Sequence, residues 1–366
     1  MKVSFINLKK QSSLEKITIL KAVKQTLKES QFILGSKNLN LEKKIAYYNR
    51  AKYCALLNSG TDALTLGLHV MGVKRGDEVI TCSNSFIASA ASIVHLGAKP
   101  IFVDVKDDQN MDPKLIEKKI TKKTKAIMPI HLTGRVCDMP AIMKIAKKYK
   151  LKVIEDAAQS FGSKYNKKFA GTYGDIGCIS LHPLKNFNGI GDGGLILTNS
   201  KSYYDKIINL RNHGLKNRNY VEEFGYVSRY DSLKANILAT RLKNIGKIIS
   251  KRRYNVKLYN KYIDKKNVFI PEENSNEFNT YHTFVIQVKS RTKLINFLNK
   301  KNISTAIHYP IPIHLQKAYK KLYNSKLILP KTVKQSKEIL SLPINQYLSK
   351  KEIKYISENI NRFYNS

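Results

Sequence analysis

The stretch GDIGCISLHPLKNFNGIGDGGLILT, residues 174–198, decides the fold and the chemistry that we expect of this chain. Pro183 ends the apolar, strand-like run 176–181, and Lys185 follows it, ahead of the glycines Gly189, Gly191, Gly193 and Gly194. Glycines let a backbone turn sharply and come close to a ligand. A lysine in such a turn can be shielded from water, which lowers its pKa toward the range in which a neutral amine attacks a carbonyl. The stretch therefore predicts a lysine that forms a Schiff base.

Two other interpretations of this stretch compete with the first. A dinucleotide-binding loop has the spacing GxGxxG and opens a helix, whereas these glycines lead into the strand-like run 195–198. An ordinary solvated loop lysine fits the stretch equally well. The rest of the chain has to decide between a reactive and a solvated Lys185.

Length and composition limit the class of protein. A chain of 366 residues suggests about two domains and can bury a sizeable core. The four cysteines lie in apolar runs without CxxC spacing, so we expect neither a disulfide nor a metal site, and a reducing compartment. The N-terminus has no apolar signal region and no window is apolar enough for a membrane span. We expect a cytoplasmic protein.

The formal net charge of +38 raises the possibility of a nucleic-acid partner. The basic residues are spread along the whole chain, and the densest runs, 122–125 and 251–253, are short and have no interleaved aromatic residues. Single-stranded nucleic acids bind to basic grooves with aromatic stacking platforms. The pattern therefore favours solvated lysine-rich faces over a nucleic-acid groove, and it leaves a general attraction for small anions.

Strand-like and helical runs alternate through the first half of the chain. Strands are predicted at 78–82, 100–105, 126–131 and 151–155, and helices at 13–29, 86–97, from Asp112 onward, and 138–150. Apolar strands separated by helices indicate a mostly parallel α/β sheet with both faces covered. From about residue 230 one long helix is predicted, followed by strands at 282–288 and 304–309 and helices near 293–302 and 349–363. We therefore predict a large α/β domain over 1–245 and a smaller α+β domain over 246–366.

Two short segments are candidates for ligand contacts at the carboxyl ends of these strands, where such sheets bind ligands. Asp156 ends the strand LKVIED and is placed to pair with a cationic ring nitrogen, although it also suits a helix cap. The segment 58–63, NSGTDA, precedes a helix, whose free amides and dipole suit a phosphate. A plain N-cap explains the second segment equally well.

Taken together, the motifs resemble the DegT/DnrJ/StrS family of pyridoxal-phosphate sugar aminotransferases over nearly the whole chain. The segments that carry the resemblance are SGTDAL at 59–64, GDEVITCSNSFIASA at 76–90, GAKPIFVDV at 97–105, IEDAAQSFGSKY at 154–165, the stretch 174–198 and HYPIPIHLQKAY at 308–319. Their shared order and spacing distinguish them from chance matches.

The resemblance implies the fold type I of aspartate aminotransferase, with a mostly parallel seven-stranded sheet between helices and two active sites shared across a homodimer. Lys185 would bind pyridoxal 5′-phosphate covalently and carry the proton during transfer. Asp156 would pair with the pyridinium nitrogen, Gln159 would bond the phenolic oxygen and Phe86 would lie against the ring. The phosphate would be held by Gly60, Thr61 and Ser180.

The resemblance also suggests a substrate. Relatives with histidine at the position of Lys185 dehydrate sugars, so the lysine favours transamination. The opening VSFINLKKQ and the segment HYPIPIHLQ are most similar to the branch acting at C3 of nucleotide-linked 3-keto sugars. Residues expected at the sugar or diphosphate are His182, Arg229, His308 and Tyr309, although His308 also suits an ordinary partly buried histidine and His182 is no more than a neighbour of Lys185.

The function implied is transfer of an amino group from L-glutamate to C3 of a dTDP-3-keto-6-deoxyhexose, for surface glycan synthesis. A UDP-linked 3-keto-N-acetylhexosamine or a 4-keto-6-deoxy sugar is the first alternative. A pyridoxal-phosphate-binding regulator without catalysis, or a nucleic-acid-associated protein, is the remote one.

One residue departs from the family pattern. In GYVSRYDSLKA at 225–235 the family usually has asparagine where this chain has Val227, and that asparagine reaches the phosphate in the neighbouring subunit. Because valine offers no hydrogen bond, we expect weaker retention of the cofactor than in a Val227→Asn variant.

Overall fold

The computed structural model describes residues 1–323 and 326–365. Its centre is a seven-stranded sheet in the order β1-β9-β8-β5-β4-β2-β3. The pairs β8-β5, β5-β4, β4-β2 and β2-β3 are parallel, and β9 runs antiparallel to both of its neighbours. The predicted mostly parallel seven-stranded sheet is therefore confirmed. The strands are β1 Tyr53–Leu57, β2 Glu78–Cys82, β3 Lys99–Val103, β4 Thr124–Ile127, β5 Lys152–Asp156, β6 Lys164–Tyr165, β7 Lys168–Phe169, β8 Ile176–Ser180, β9 Gly194–Thr198, β10 Leu215–Asn217, β11 Tyr220–Val221, β12 Val268–Phe269, β13 Glu277–Phe278, β14 Phe284–Val288 and β15 Ile339–Leu342.

Helices pack against the sheet and recur through the second half of the chain. Two of them begin at side-chain caps: the Ser59 hydroxyl accepts from the Asp62 amide at 3.0 Å, and the Asp138 carboxylate accepts from the Ala141 amide at 3.3 Å. The helices are α1 Leu8–Glu29, α2 Ser36–Asn49, α3 Gly60–Val70, α4 Ala88–His95, α5 Met139–Lys148, α6 Lys201–Leu210, α7 Ser232–Leu242, α8 Ile245–Tyr262, α9 Arg291–Lys300, α10 Lys317–Tyr323, α11 Pro330–Glu338 and α12 Lys350–Asn365.

Apolar residues pack on both faces of the central sheet. Val153 and Ile154 are neighbours on β5 and both are fully buried, yet they belong to two different hydrophobic clusters. Successive residues of a strand point to opposite faces, so a strand covered on both sides has apolar residues at consecutive positions. This is why β9 reads as a continuous apolar run from Leu195 to Leu197, while β5 combines Val153 and Ile154 with the buried carboxylates of Glu155 and Asp156.

The C-terminal region has a hydrophobic cluster of its own. The small sheet β12-β14-β15 packs with α8, α9 and α12 through buried residues such as Val256, Ile286, Leu294 and Ile356. Val3, from the N-terminus, is part of the same cluster and bridges to Ile303. The N-terminal end of the chain therefore packs against the C-terminal region.

Three elements differ from the prediction. The single helix expected from about residue 230 is broken at Lys243 and Asn244 into α7 and α8, and asparagine favours such a break because its side chain competes for backbone hydrogen bonds. The helix expected after Asp112 is a pair of short 3₁₀ turns, Pro113–Leu115 and Glu117–Lys119.

The strand expected at 304–309 is reduced to one isolated bridge between Ala306 and Ser341. Pro310 and Pro312 follow it and lack the amide donors that a longer ladder would need. Throughout residues 1–323 and 326–365, no helix combines the length and the apolar character that crossing a membrane requires.

Candidate active site

The candidate residues meet at one edge of the central sheet. Asp156 is the last residue of β5, Ser180 is the last residue of β8, and Gly60 opens α3 directly after β1. These strands are neighbours or near neighbours in the order β1-β9-β8-β5, so the ends of β5 and β8 and the start of α3 lie together. The edge is the one at which parallel sheets bind ligands.

Lys185 lies in a loop between β8 and β9. Its amide donates to the His182 carbonyl at 2.8 Å, and the loop is closed where the Gly189 amide donates to the Leu181 carbonyl at 2.6 Å. Removal from water lowers the pKa of the Lys185 amine to about 8, against the opposing attraction of the Asp156 carboxylate. Lys185 is therefore no ordinary solvated lysine, because a substantial fraction of its amine is neutral near pH 8.

Two of the glycines after Lys185, Gly189 and Gly193, are explained by one aromatic side chain. Tyr230 is fully buried beneath them. A Cβ added at Gly193 would lie 2.5 Å from Cε2 of Tyr230, and one added at Gly189 would lie 3.0 Å from its hydroxyl oxygen. Only residues without a side chain let the loop approach the ring this closely.

Asp156 is a buried carboxylate, with only 5% of its surface exposed. Its Oδ2 accepts a hydrogen bond from the Ser89 hydroxyl at 2.6 Å and its Oδ1 accepts from the Ala158 amide at 3.2 Å. Over the residues that the structure describes, no basic side chain lies within ion-pair distance of it. A buried anion of this kind favours a cation beside it. The alternative of a helix cap does not hold, since no helix begins at this residue.

Gly60, Thr61 and Ser180 form a narrow cradle at the start of α3. A Cβ added at Gly60 would lie 2.8 Å from Cβ of Ser180, so α3 approaches the end of β8 closely. The Ser59 hydroxyl caps the helix through the Asp62 amide. The amides of the first turn and the positive end of the helix dipole suit an anion such as a phosphate.

Gln159 and Tyr309 are directly connected. The Gln159 side-chain amide donates to the phenol oxygen of Tyr309 at 3.2 Å, and its carbonyl oxygen accepts from the Thr133 amide at 2.8 Å. The ring of Phe86 lies 6.2 Å from the ring of Tyr309, centroid to centroid, and Phe86 is 56% exposed. Gln159, which is predicted to contact the cofactor, is therefore hydrogen-bonded to Tyr309, which is predicted to contact the sugar.

Two of the predicted histidines lie in the same region. The pKa of His308 is lowered to about 4, by its burial and by the positive charge of Lys185, so it is neutral at physiological pH. Its Nδ1 shares a 2.8 Å hydrogen bond with the Ser341 hydroxyl, and its ring stacks on Phe5. Nδ1 of His182 accepts from the Leu184 amide at 3.3 Å, which orients the ring next to the Lys185 loop.

Arg229 and Val227 lie on a neighbouring segment. Nη1 of Arg229 donates to Oδ1 of Asn212 at 3.4 Å, and Asn212 also forms an isolated bridge with Val227. The intervening Ser228 donates its hydroxyl to the Asp62 carboxylate at 2.7 Å, which attaches the segment to the first turn of α3. Within residues 1–323 and 326–365, no hydrogen bond or ion pair joins Arg229 to Lys185 or Asp156. Val227 is 57% exposed.

Sequence reasoning missed Ser89, Glu155 and His282. Glu155 is fully buried next to Asp156, and its carboxylate accepts from the amides of Tyr173 and Gly174 at 2.6 and 2.7 Å. The carboxylate thereby holds the turn that leads into β8. Two adjacent acidic residues at the end of an apolar strand were the available signal for this role.

His282 is missed for a different reason. Its Nδ1 is buried without a hydrogen-bond partner among the described residues, and burial together with the charges of Lys185 and Arg252 lowers its pKa well below the usual value. No pattern around position 282 distinguishes this histidine from one in an ordinary strand, because its setting depends on residues far away in the sequence.

Comparison with known proteins identifies a family for the chain. The profile of the DegT/DnrJ/EryC1/StrS aminotransferase family matches residues 14–361. A dTDP-3-amino-3,6-dideoxy-alpha-D-galactopyranose transaminase from Aneurinibacillus thermoaerophilus is 38% identical and covers 99% of both chains. A UDP-2-acetamido-2-deoxy-3-oxo-D-glucuronate aminotransferase from Pseudomonas aeruginosa is 36% identical over 97% of this chain and 98% of the relative. A protein of Geobacillus stearothermophilus named as a pleiotropic regulatory protein is 38% identical over 100% and 99%.

Solved structures agree with these matches. DesV of S. venezuelae, in complex with a ketimine intermediate, superposes with a TM-score of 0.96 at 30% identity, covering 100% of this chain and 99% of that one. NtdA of Bacillus subtilis, with the bound cofactor PMP, superposes with a TM-score of 0.93 at 32% identity, covering 100% of this chain and 86% of that one. Both are similar to this chain over its whole length.

Proposed function

The chain belongs to the DegT/DnrJ/EryC1/StrS aminotransferase family, and we propose that it uses pyridoxal 5′-phosphate to transfer an amino group to C3 of a nucleotide-linked 3-keto sugar. One observation carries the proposal. In a single site, a partly neutral lysine, Lys185, lies near a buried carboxylate, Asp156, which the described residues leave without a cationic partner. A carbonyl reagent with a cationic ring nitrogen needs both groups.

The side chains present fit this cofactor. The close approach of Gly60 to Ser180 leaves a cradle of backbone amides and one hydroxyl, which suits a phosphate. The uncompensated charge of Asp156 suits a protonated pyridine nitrogen, and Gln159 offers an amide to the phenolic oxygen. Phe86 exposes an apolar ring that suits a flat π-system. The donor set therefore matches each end of the cofactor.

Bound there, pyridoxal phosphate supplies an electron sink for the carbon that loses a proton. Asp156 would keep the ring nitrogen of the bound cofactor protonated, and Ser89 fixes the direction of the Asp156 Oδ2 through the 2.6 Å hydrogen bond. The neutral amine of Lys185 would take up the proton from the substrate carbon and return it, because a base with a pKa close to the working pH does this efficiently. His308, neutral and held by Ser341, can share a hydrogen bond with the sugar without adding charge.

We propose L-glutamate as the amino donor and a dTDP-3-keto-6-deoxyhexose as the acceptor. The Aneurinibacillus relative is named for a dTDP-linked 3-amino-3,6-dideoxy sugar, which supports this acceptor. His182, His308 and Tyr309 would contact the sugar or diphosphate. The net charge of +38 would favour the approach of such a dianion. The product would be a dTDP-3-amino-3,6-dideoxyhexose for surface glycan synthesis.

A homodimer with shared sites is part of the proposal. Apolar side chains are exposed on α1 at Leu14, Ile17 and Leu20, and near the site at Phe86 and Val227, each between 51% and 71% exposed. Leu14, Ile17 and Leu20 are three residues apart and share one side of α1, and an exposed apolar helix face of this kind is typical of an interface. A second copy of the chain would cover it and would bring Arg229 to the anionic group of a substrate in the neighbouring site.

Two broader assignments remain proposals as well. We divide the chain into a large cofactor-binding region, 1–245, and a small region, 246–366, supported by the separate hydrophobic cluster of the latter. We place the protein in the cytoplasm, without nucleic acid as a partner, supported by four buried free cysteines and by basic residues spread along the chain.

The test is an assay of purified protein with L-glutamate against three acceptors: a dTDP-3-keto-6-deoxyhexose, a UDP-3-keto-N-acetylhexosamine and a 4-keto-6-deoxy sugar. Mass spectrometry of the amino sugar and coupled detection of 2-oxoglutarate give the rates. We expect the dTDP-3-keto sugar to be preferred. Preference for the UDP-linked sugar would support the first alternative, which the Pseudomonas relative favours by its name.

A second candidate is a pyridoxal-phosphate-binding regulator without catalysis. The name of the Geobacillus relative is the observation that favours it. Attachment of the cofactor to Lys185 with no amino transfer to any of the three sugars would support the regulator and contradict the aminotransferase.

A further inference from the structure

Arg241, on α7, connects three parts of the chain that are distant in sequence. It is 6% exposed, and its Nη1 donates to the carbonyl oxygens of Asn188 and Gly189 at 2.6 and 2.8 Å. Its Nε and Nη2 both donate to Oε2 of Glu15, on α1, at 2.9 and 2.7 Å. One guanidinium therefore binds the turn that follows Lys185 on one side and an anion of α1 on the other.

Asn188 closes the same turn from within. Its side-chain amide donates to the Pro183 carbonyl at 2.6 Å, across the loop that contains Lys185. The amides of Asn188 and Gln11 also exchange hydrogen bonds in both directions, at 3.1 and 3.2 Å. α1 therefore contacts the turn directly through Gln11 and indirectly through Glu15 and Arg241.

The remaining side chains of the loop are fixed on its other side. The Asn186 side-chain amide donates to the Thr280 carbonyl at 2.9 Å, and the buried ring of Phe187 stacks on Phe161 at 4.3 Å between centroids. Lys185 precedes both residues. The backbone of Lys185 therefore directly precedes two packed residues, Asn186 and Phe187, and the turn at 188–189 that Arg241 binds.

We propose that Arg241 is a positioning residue for Lys185. By holding the carbonyls of Asn188 and Gly189 against α1 and α7, it keeps the loop in the one conformation that withdraws the amine from water and directs it toward Asp156. The inference rests on the proposed function for the role of Lys185, but it concerns the geometry of the loop and not the identity of the sugar.

The fork of the guanidinium explains why arginine is needed. Nε and Nη2 of Arg241 bind the Glu15 carboxylate while Nη1 binds the two backbone carbonyls, and a planar group with five donors can do this in a rigid geometry. A lysine keeps the charge for Glu15, but its compact ammonium has too short a span to hold the two carbonyls as well. Arg241→Lys therefore keeps the positive charge beside Glu15 but loses the hydrogen bonds to the carbonyls of Asn188 and Gly189.

A purely structural role would give a different result from a positioning role. If Arg241 only stabilises the packing of α1 on α7, its loss lowers the stability and leaves the lysine unchanged. If it positions the loop, its loss lets water reach the amine, and the pKa of Lys185 rises from about 8 toward its usual value. Each unit of increase lowers the neutral fraction of the amine about tenfold below that pKa.

The experiment measures attachment of pyridoxal phosphate to the full-length apoprotein from pH 6.5 to 10, trapped with borohydride and located by mass spectrometry. The variants are Arg241→Lys, Arg241→Met and Glu15→Gln. Arg291→Met is the matched control, because Arg291 also donates to backbone carbonyls, those of Ser336 and Ile339, but in the C-terminal region. Thermal unfolding is measured for every variant.

We expect the pH midpoint of attachment to rise by about one unit in Arg241→Lys, and the attachment rate at pH 7.5 to fall about tenfold. In turnover, kcat should fall while KM for the keto sugar changes less than about twofold, since substrate binding is not altered. Arg291→Met should lose stability with its midpoint unchanged. Glu15→Gln, at the partly exposed end of the network, should shift the midpoint less than Arg241→Lys and still fold.

An unchanged midpoint and rate in Arg241→Lys and Glu15→Gln, with only a lower melting temperature, would overturn the proposal. The attachment assay contains no sugar, so failure of the proposed function is seen separately. If the wild type attaches the cofactor at Lys185 but aminates no keto sugar, the proposed reaction is contradicted. The pH midpoints of attachment in the variants then still test the role of Arg241.

Discussion

The hydroxyl of Ser89, one residue into α4, donates a 2.6 Å hydrogen bond to Oδ2 of Asp156 at the end of β5. The same hydroxyl lies 2.8 Å from that of Ser85. Asp156 is buried and has no basic partner among the described residues, so the Ser89 hydroxyl on Oδ2 and the Ala158 amide on Oδ1 orient its carboxylate. The segment SNSFIASA therefore supplies the hydrogen bond that directs the Asp156 carboxylate, and under the proposed function it would also supply the Phe86 ring that lies against the cofactor.

Replacement of Asp156 by asparagine tests the role of this anion. A neutral amide does not hold a ring nitrogen protonated, so kcat/KM should fall by about 10²–10³, comparable with the loss of other oriented electrostatic groups. Ser89→Ala, which leaves the charge in place, should cost about tenfold, the size of one hydrogen bond to a charged group. Steady-state kinetics on cofactor-saturated protein measure both. Equal activity of Asp156→Asn and the wild type would remove Asp156 from the mechanism.

Gly60→Ala tests the phosphate cradle. The added Cβ would lie 2.8 Å from Cβ of Ser180, so the start of α3 has to move away from β8 and the cradle widens. We expect the dissociation constant of pyridoxal phosphate to rise at least about tenfold, the loss of one hydrogen bond to a charged group.

Gly246→Ala is the control for this change. Gly246 lies in α8, and no atom lies within 4 Å of a Cβ added there. Alanine in a helix should stabilise the protein by about 0.5–1 kcal/mol and leave the dissociation constant unchanged. If Gly60→Ala binds the cofactor as tightly as Gly246→Ala does, the phosphate lies elsewhere.

The lowered pKa of Lys185 predicts a pH-dependent difference in stability between the wild-type apoprotein and Lys185→Met. Below pH 8 the Lys185 amine is charged in the folded protein, and its removal from water lowers the free energy of unfolding. This loss of stability disappears between pH 8 and 10.5, because there the amine is protonated in the unfolded chain and neutral in the folded one. Lys185→Met should therefore be more stable than the wild type at pH 7, by up to about 2–3 kcal/mol.

Urea unfolding of the two apoproteins at pH 7, 8, 9 and 10 measures this difference. The advantage of Lys185→Met should shrink as the pH rises. An advantage that is the same at pH 7 and pH 10 would show that the amine of Lys185 is not removed from water.

Val227→Asn tests the residue that departs from the family pattern. Val227 is 57% exposed, next to Ser228, which is bonded to the first turn of α3. If a second chain brings this position to the phosphate, an asparagine amide should lower the dissociation constant of the cofactor about tenfold, as a hydrogen bond to a charged group does. Val221→Asn, at the similarly exposed Val221 on β11, is the control and should change nothing. Equal dissociation constants for Val227→Asn and the wild type would end the idea.

The fold could be predicted, and with it the meeting of several candidate residues at one sheet edge, because the signals for strands and strand ends are local. β5 and β8 carry consecutive apolar residues, such as Val153 and Ile154, because both of their faces are covered, and Asp156, Ser180 and Lys185 lie at or after the ends of those strands. The family segments extended this to Gln159, Gly60 and Thr61. The local signal is the place of each residue at the end of a strand or at the start of a helix, whereas contacts such as that of Gln159 with Tyr309 join distant parts of the chain.

The rest could not be predicted because its contacts are between distant residues. The turn after Lys185 is held by contacts among Gln11, Asn188 and Arg241. The local sequence around each of these residues does not predict its contacts with the other two. The same holds for His308 with Ser341 and for the break between α7 and α8, which periodicity did not resolve. Arg229 contacts Asn212 of its own chain, so its predicted role depends on a second subunit.

The most direct test of the account is borohydride reduction of the protein with bound pyridoxal phosphate, followed by peptide mapping of the wild type and of Lys185→Ala. We predict one labelled lysine, Lys185, in the wild type, and no labelled site and no amino transfer in Lys185→Ala. A label on any other lysine, or transfer of an amino group to a keto sugar by Lys185→Ala at the wild-type rate, would contradict the account.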